Sequence, residues 1–182
     1  MIASKITDLI GNTPMLKLKM KNNDWNVFLK LEKFNPGGSM KDRMALNMIE
    51  EAEKSGQLKP GGTIIESSSG NTAIGLAIAS AIKGYHFIAV VDHHASKEKI
   101  DMIKAYGAEI VVVGDGYKAN EVAVIEREKT AKRMSEEMEN AFFPNQADNF
   151  NNRAAYIDTL ADELINDITT INSFYAAIGT GG

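Results

Sequence analysis

The feature that most constrains this chain is the alternation of short apolar runs with longer stretches of helical spacing. From residue 63 onward, "TIIES", "FIAVV", "AEIVVV" and "SFYAAI" read as strands. Between them lie apolar or amphipathic stretches over residues 71–82, 97–106, 117–140 and 153–166, each long enough to be a helix. Strands that alternate with helices of this length require crossover connections and a mainly parallel sheet. Upstream, "TPMLKLKM" and "NVFLKLE" alternate apolar with polar residues and predict two short strands joined by the turn-like "KNNDW". Met44, Ala45, Met48, Ile49 and Ala52 recur at helical spacing and predict a helix over 41–54, broken by "SGQLKPGG". The fold class is therefore α/β, a three-layer αβα arrangement with parallel sheets.

In open sheets of this kind ligands collect beyond the carboxyl ends of the strands. Two loops there carry polar chemistry: "SSSGN" after "TIIE", and "GTGG" after "FYAAI". In "GTGG" (Gly179, Thr180, Gly181 and Gly182), backbone amides can approach an anion without side chains in the way. In "SSSGNT", three hydroxyls, a glycine and an amide crowd a strand-to-helix junction. One serine suffices to cap a helix, so this junction offers more than a cap and suits a carboxylate or a phosphate. A third stretch, "NPGGSMKDR", places Lys41 at a helix start, where the positive helix end disfavours a cation. Desolvation there lowers the lysine pKa and makes the amine nucleophilic. The spacing is not that of a phosphate loop. A nucleophilic lysine and two anion sites match a cofactor bearing an aldehyde and a phosphate, for which pyridoxal phosphate is the fit. The second anion site is then left for an amino-acid carboxylate.

Composition narrows the alternatives. The 182 residues carry a net charge of -4, which gives no basic footprint for nucleic acid. With no cysteine there is no disulfide, thiolate nucleophile or zinc-thiolate site, and the three histidines form no HExxH pattern, so no metal site is expected. No apolar run reaches the ~18 residues of a membrane span, and the first residues lack a signal-peptide pattern. A cytoplasmic protein is expected. The Glu/Lys-rich run over 121–139 reads as a solvated helix face.

"KLEKFNPGGSMKDR", "IIESSSGNTAIGLA", "MIKAYGAEIVVV" and "AAIGTGG" together resemble the cysteine synthase and cystathionine β-synthase family, the fold type II pyridoxal-phosphate enzymes with a tryptophan-synthase-β-like fold. The resemblance runs from about Ile10 to Gly182. It implies that Lys41 binds the cofactor aldehyde covalently and is the catalytic residue. It implies that Asn71 contacts the ring oxygen of pyridoxal phosphate, while Gly179, Thr180, Gly181 and Gly182 cradle the phosphate. Ser68, Ser69, Asn71 and Thr72, helped by Gln146, are implied to hold the carboxylate of a small amino-acid substrate. The two glycines before Lys41 are expected to give its side chain room. The implied activity is β-replacement in cysteine biosynthesis, O-acetylserine plus sulfide giving cysteine, in a cytoplasmic homodimer.

Some positions depart from the family pattern. Asp92 stands in "VVDHHASKEK" where the family usually has proline, with His93 and His94 expected on a surface loop, and Tyr156 stands where it often has histidine. These departures keep open an O-phosphoserine-dependent synthase of a diaminopropionate precursor and a cystathionine β-synthase. Family members continue past "GTGG". The expected division is thus a domain over residues 35–145, with 1–34 and 146–182 as parts of an incomplete second domain. A catalytically incompetent fragment with a binding or regulatory role is the competing expectation, with weak cofactor affinity for the isolated chain and its terminal segments mobile or buried by another chain.

Overall fold

The computed structural model describes residues 2–21, 25–116 and 123–182. Strands β1 (Met15–Leu18) and β2 (Val27–Lys30) pair antiparallel, Met15 opposite Lys30 and Leu18 opposite Val27. The turn expected at "KNNDW" falls mostly outside the described residues. Helix α1 (Lys41–Lys54) follows, with the bounds that its apolar spacing predicts.

The main sheet is built from β3 (Thr63–Ser67), β4 (His86–Asp92), β5 (Glu109–Val113) and the two-residue β6 (Ala141–Phe142), in the order β5-β4-β3-β6, all parallel. Between them run α2 (Asn71–Lys83), α3 (Lys97–Ala105) and α4 (Val124–Glu137). Side chains alternate across the sheet as the pleat demands. Ile64, Phe87, Ala89 and Val91 pack with α1 and α2, whose Ala45, Ile49, Ala73 and Leu76 are buried. Ile65, Ile88 and Val90 turn to the other face and meet Ala131 of α4. The result is the three-layer αβα architecture expected. Lys132–Glu136 and Arg133–Glu137 pairs line the exposed side of α4, the solvated face read from the sequence. Part of the helix expected over 117–140 lies outside the described residues.

Two expectations are corrected. The single helix expected over 153–166 is a composite of α5 (Phe150–Ala155), a π-helical turn (Tyr156–Ala161) and α6 (Asp162–Asp167). The wider turn accompanies two anchored side chains. The Thr159 hydroxyl donates to the Ala155 carbonyl and accepts from Arg43, and the Tyr156 hydroxyl donates to the Met40 carbonyl. "SFYAAI" is not a strand, because no strand among the described residues lies beside it to complete a ladder. Phe174, Tyr175 and Ile178 stand exposed. A short apolar run cannot specify its own partner.

α1 and α2 run side by side in the same direction. Near their starts, Gly75 packs against Ala45 and Asp42, and near their ends Lys83 bonds to Glu53. Both N-termini therefore open on the same side, at the carboxyl end of β3.

Candidate active site

Lys41 is the first residue of α1. Its backbone amide donates to the Ser39 hydroxyl at 3.2 Å, and its side chain is half-buried. Burial lowers its pKa, the direction expected from its place at a helix start. The two glycines before it differ. A Cβ at Gly37 would stand 2.4 Å from Oδ1 of Asp42, so the space that Gly37 leaves belongs to Asp42 rather than to Lys41. The Gly37 amide also donates to Oδ2 of Asp42 at 2.5 Å. Gly38 meets nothing nearby but has φ +79°, a left-handed conformation suited to glycine. Asp42 is buried, and burial pushes its carboxyl up to about 6 against the pull of the Gly37 amide.

The loop "SSSG" connects β3 to α2. Ser68 is buried and its hydroxyl accepts from the Gly70 amide at 3.2 Å, which folds the loop back on itself. No side chain caps α2, whose N-cap is Gly70, so the helix begins with uncapped amide donors directed at the loop. Ser69 is half-buried and Asn71 exposed. Thr72 is buried and donates its hydroxyl to Oε1 of Gln146 at 2.6 Å. A cation that sequence reasoning passed over stands here. Nζ of the half-buried Lys99, on α3, is 4.0 Å from where a Cβ of Gly70 would be. No sequence motif marked it, since it lies within a charged run.

Under the loop lies Glu66, 2% exposed. Burial pushes its carboxyl up to about 7, although the Gln146 and Ser67 amides donate to it at 3.2 and 2.8 Å and pull the other way. Glu66 thereby ties the start of the serine loop to the segment carrying Gln146.

The glycine segment reaches the same region through one residue. Nδ2 of the buried Asn152 donates to the Gln146 carbonyl at 2.7 Å and to the Thr180 hydroxyl at 2.8 Å. Gly182 rests against the same side chain: a Cβ there would be 2.3 Å from Oδ1 of Asn152 and 2.7 Å from the Tyr156 ring. Gly179 and Gly181 meet nothing within 4 Å, and Gly181 has φ +78°. Thus Thr72 is linked through the Gln146 side chain and backbone carbonyl to Asn152, and through Asn152 to Thr180, with Gly182 packed on the same asparagine. Among the described residues Lys41 is tied to the glycine segment indirectly, through the Tyr156 hydroxyl, which donates to the Met40 carbonyl, and the Tyr156 ring, which lies beside Gly182. Asn152 was legible only as one asparagine in the run "NQADNFNN".

Asp92, at the end of β4, is buried and accepts from the His94 and Ala123 amides, with Arg127 at 3.5 Å. It secures the loop after β4. His93 and His94 are exposed on that loop, as expected, with their ring centroids 4.1 Å apart. Among the described residues no cluster of His, Asp and Glu could hold a metal ion.

Comparisons with known proteins bear on the family and the fold. A family model described as pyridoxal-phosphate dependent enzyme matches residues 6–182. A cysteine synthase of Staphylococcus aureus is 44% identical over 97% of this chain and 56% of its own length. The structure of a hydrogen sulfide-producing enzyme from Fusobacterium nucleatum superposes with a TM-score of 0.82 at 40% identity, over 92% of this chain and 53% of that one. An O-acetylserine dependent cystathionine β-synthase from Helicobacter pylori superposes with a TM-score of 0.89 at 34% identity, over 100% of this chain and 59% of that one. The chain thus spans about half the length of the relatives it matches. By the family match across nearly its whole length, this chain belongs to the pyridoxal-phosphate-dependent enzymes.

Proposed function

We propose that this chain carries the lysine, substrate-carboxylate and phosphate elements of a β-replacement site of the cysteine synthase type, acting on O-acetylserine with sulfide. What supports this reading is that the half-buried Lys41, its pKa lowered by burial, starts a helix packed beside α2, and that the Gln146–Asn152–Thr180 bonds join the segment bonded to the uncapped start of α2 to the glycine segment. The residues fit pyridoxal phosphate. Gly182 packs so closely on Asn152 that a side chain there would collide, the glycine segment offers amides, and Lys41 offers an amine. Gly179, Thr180, Gly181 and Gly182 would hold the phosphate, Asn71 the ring oxygen and Lys41 the aldehyde.

When bound, the cofactor supplies an electrophile for the substrate amine and a ring that delocalises the electrons of the α-carbon. Ser68, Ser69, Asn71 and Thr72, with Gln146, orient the substrate carboxylate on the α2 amides, and Lys99 adds positive charge beside them. Lys41 Nζ takes the α-proton, which requires it neutral, and its burial favours that form. The same reading treats residues 35–145 as one domain, 1–34 with 146–182 as part of a second, and a cytoplasmic homodimer as the working state.

Absorbance tests it. Purified protein mixed with pyridoxal phosphate should show the visible-edge band of lysine-bound cofactor, and Lys41→Ala should remove it. A colourless wild type would favour the non-catalytic fragment. With the band present, O-acetylserine and O-phosphoserine offered with sulfide, homocysteine or glutamate identify leaving group and nucleophile. Turnover only with O-phosphoserine and glutamate would replace cysteine synthesis by formation of a diaminopropionate precursor. Turnover only with homocysteine would replace it by cystathionine synthesis.

A further inference from the structure

We propose that Asn152 is a positioning residue that couples the glycine segment 179–182 to the serine loop 68–72, so that an anion held at one is felt at the other. The inference rests on the reading of those two segments as phosphate and carboxylate sites. Asn152 is 2% exposed, and its single amide group bridges two acceptors in different segments, the Gln146 carbonyl at 2.7 Å and the Thr180 hydroxyl at 2.8 Å. Beyond Gln146 the connection continues by the Thr72 hydroxyl at 2.6 Å into α2, and by the Gln146 amide to Glu66 and so to Ser67. Beyond Thr180 it ends at Gly182, packed on the same asparagine. Oδ1 of Asn152 is buried and has no protein hydrogen-bond partner, so the amide is held through its two donated bonds. Both Nδ2 protons are committed, so a shift of Thr180 re-aims the amide plane and with it the donor to Gln146. Such linkage is reciprocal: whatever the phosphate end does to the carboxylate end, the carboxylate end returns.

The test needs no turnover. In the 15N-labelled chain, Thr180→Val removes one acceptor, and the amide resonances of Gln146 and Thr72 should move, although the hydrogen bonds of both reach Thr180 by way of Asn152. In an Asn152→Leu background the same Thr180→Val change should leave them in place. The heteronuclear NOE of residues 180–182 should fall in Asn152→Leu to that of a free terminus. Asn152→Asp, which keeps the shape and exchanges donor for acceptor, serves if the leucine variant does not fold. Inorganic phosphate is then titrated into the wild type and Asn152→Leu. Wild-type shifts should cover Gly179–Gly182, Gln146 and Thr72, and the variant should keep only the first group, with affinity lowered about five- to tenfold for the loss of one to two hydrogen bonds. Coupling through Asn152 is overturned if Thr180→Val leaves Gln146 and Thr72 unmoved in the wild-type background, or moves them equally in both backgrounds. A wild type whose glycine amides ignore phosphate overturns the phosphate-site reading instead, and the Thr180→Val comparison still decides the coupling.

Discussion

Arg43→Met should be among the most destabilising single substitutions outside the apolar core. The guanidinium is 1% exposed and lies between two carboxylates from distant parts of the chain. Nε and Nη2 donate to the Glu32 oxygens at 2.8 and 2.7 Å, Nη1 and Nη2 donate to Glu163 at 2.5 and 2.9 Å, and Nη1 also donates to Thr159 at 3.0 Å. Burial alone would raise both carboxyl pKa values. Hydrogen bonds from Arg43, with Thr13 at Glu32 and with Lys30 and the Asn12 amide at Glu163, outweigh it, bringing Glu163 down to about 2 and Glu32 below its usual range. Methionine fills much of the space and supplies no donor, leaving two largely buried carboxylates facing one another. Breaking a buried pair this way costs about 3–5 kcal/mol, a large part of the ~5–15 kcal/mol that holds a domain folded. Urea denaturation followed by far-ultraviolet circular dichroism at neutral pH should show that loss. The sign with pH follows from Glu163. Its folded pKa lies below the ordinary 4.5, so the stabilisation is present above 4.5 and is lost as pH falls through about 2. The gap between wild type and Arg43→Met should therefore close between those values. The double substitution Glu32→Gln, Arg43→Met removes the carboxylate left without a cation and should recover part of the loss, since Glu163 keeps Lys30 at 2.8 Å. A cost of Arg43→Met below about 1 kcal/mol, the value of an exposed ion pair, or a gap independent of pH, would refute the reasoning.

Glu66 titrates the other way: its folded pKa of about 7 exceeds the ordinary 4.5, so its contribution is intact below 4.5 and lost as pH rises through 7. At about 1.4 kcal/mol per pKa unit this is somewhat more than 3 kcal/mol, and Glu66→Gln should flatten the fall in stability between pH 5 and 8; parallel curves would count against it. Gly37→Ala should cost about 1–3 kcal/mol by driving a methyl into Asp42, while Gly56→Ala, at φ +75° but in open space, should suffer from backbone strain alone; thermal melts rank the two. Asn71→Ala should weaken both cofactor and amino-acid binding in spectral titrations, and Lys99→Met amino-acid binding, whereas Lys97→Ala, an exposed residue paired with Asp101, should change neither.

What could be read from the sequence was what local chemistry decides. α1, β3 and the start of α2 fall at the expected residues, because apolar spacing, a Gly/Pro break and a glycine-bounded loop are all written within a few positions of each element. β6 was missed because its two residues form a strand only by lying beside Thr63 and Ile64, nearly eighty positions away. "SFYAAI" failed for the converse reason, having strand composition and, among the described residues, no strand beside it. In the site, Lys41 and the serine loop were legible from motif chemistry. Asn152, Lys99 and Glu66 were not, since each acts by a contact that only the folded chain creates.

The same distinction explains "KDR", three consecutive charged residues that a propensity argument treats alike. Successive residues on a helix point about 100° apart, so at the start of α1 they face three different surroundings. Lys41 stays half-buried beside the glycine turn, where desolvation makes its amine easier to deprotonate. Asp42 is turned into the niche left by Gly37 and Gly75, against the helix that begins at the serine loop. Arg43 points away from both and binds the β1–β2 side to α6 through Glu32 and Glu163. Asp42 fixes α1 against α2, and Arg43 fixes it against the segments that flank the main sheet. Between those two anchors Lys41 has little freedom to move relative to either loop. A lysine whose backbone is held this way has less freedom to lose when its side chain engages a ligand, so on the proposed reading its immediate neighbours matter to the site as well as Lys41.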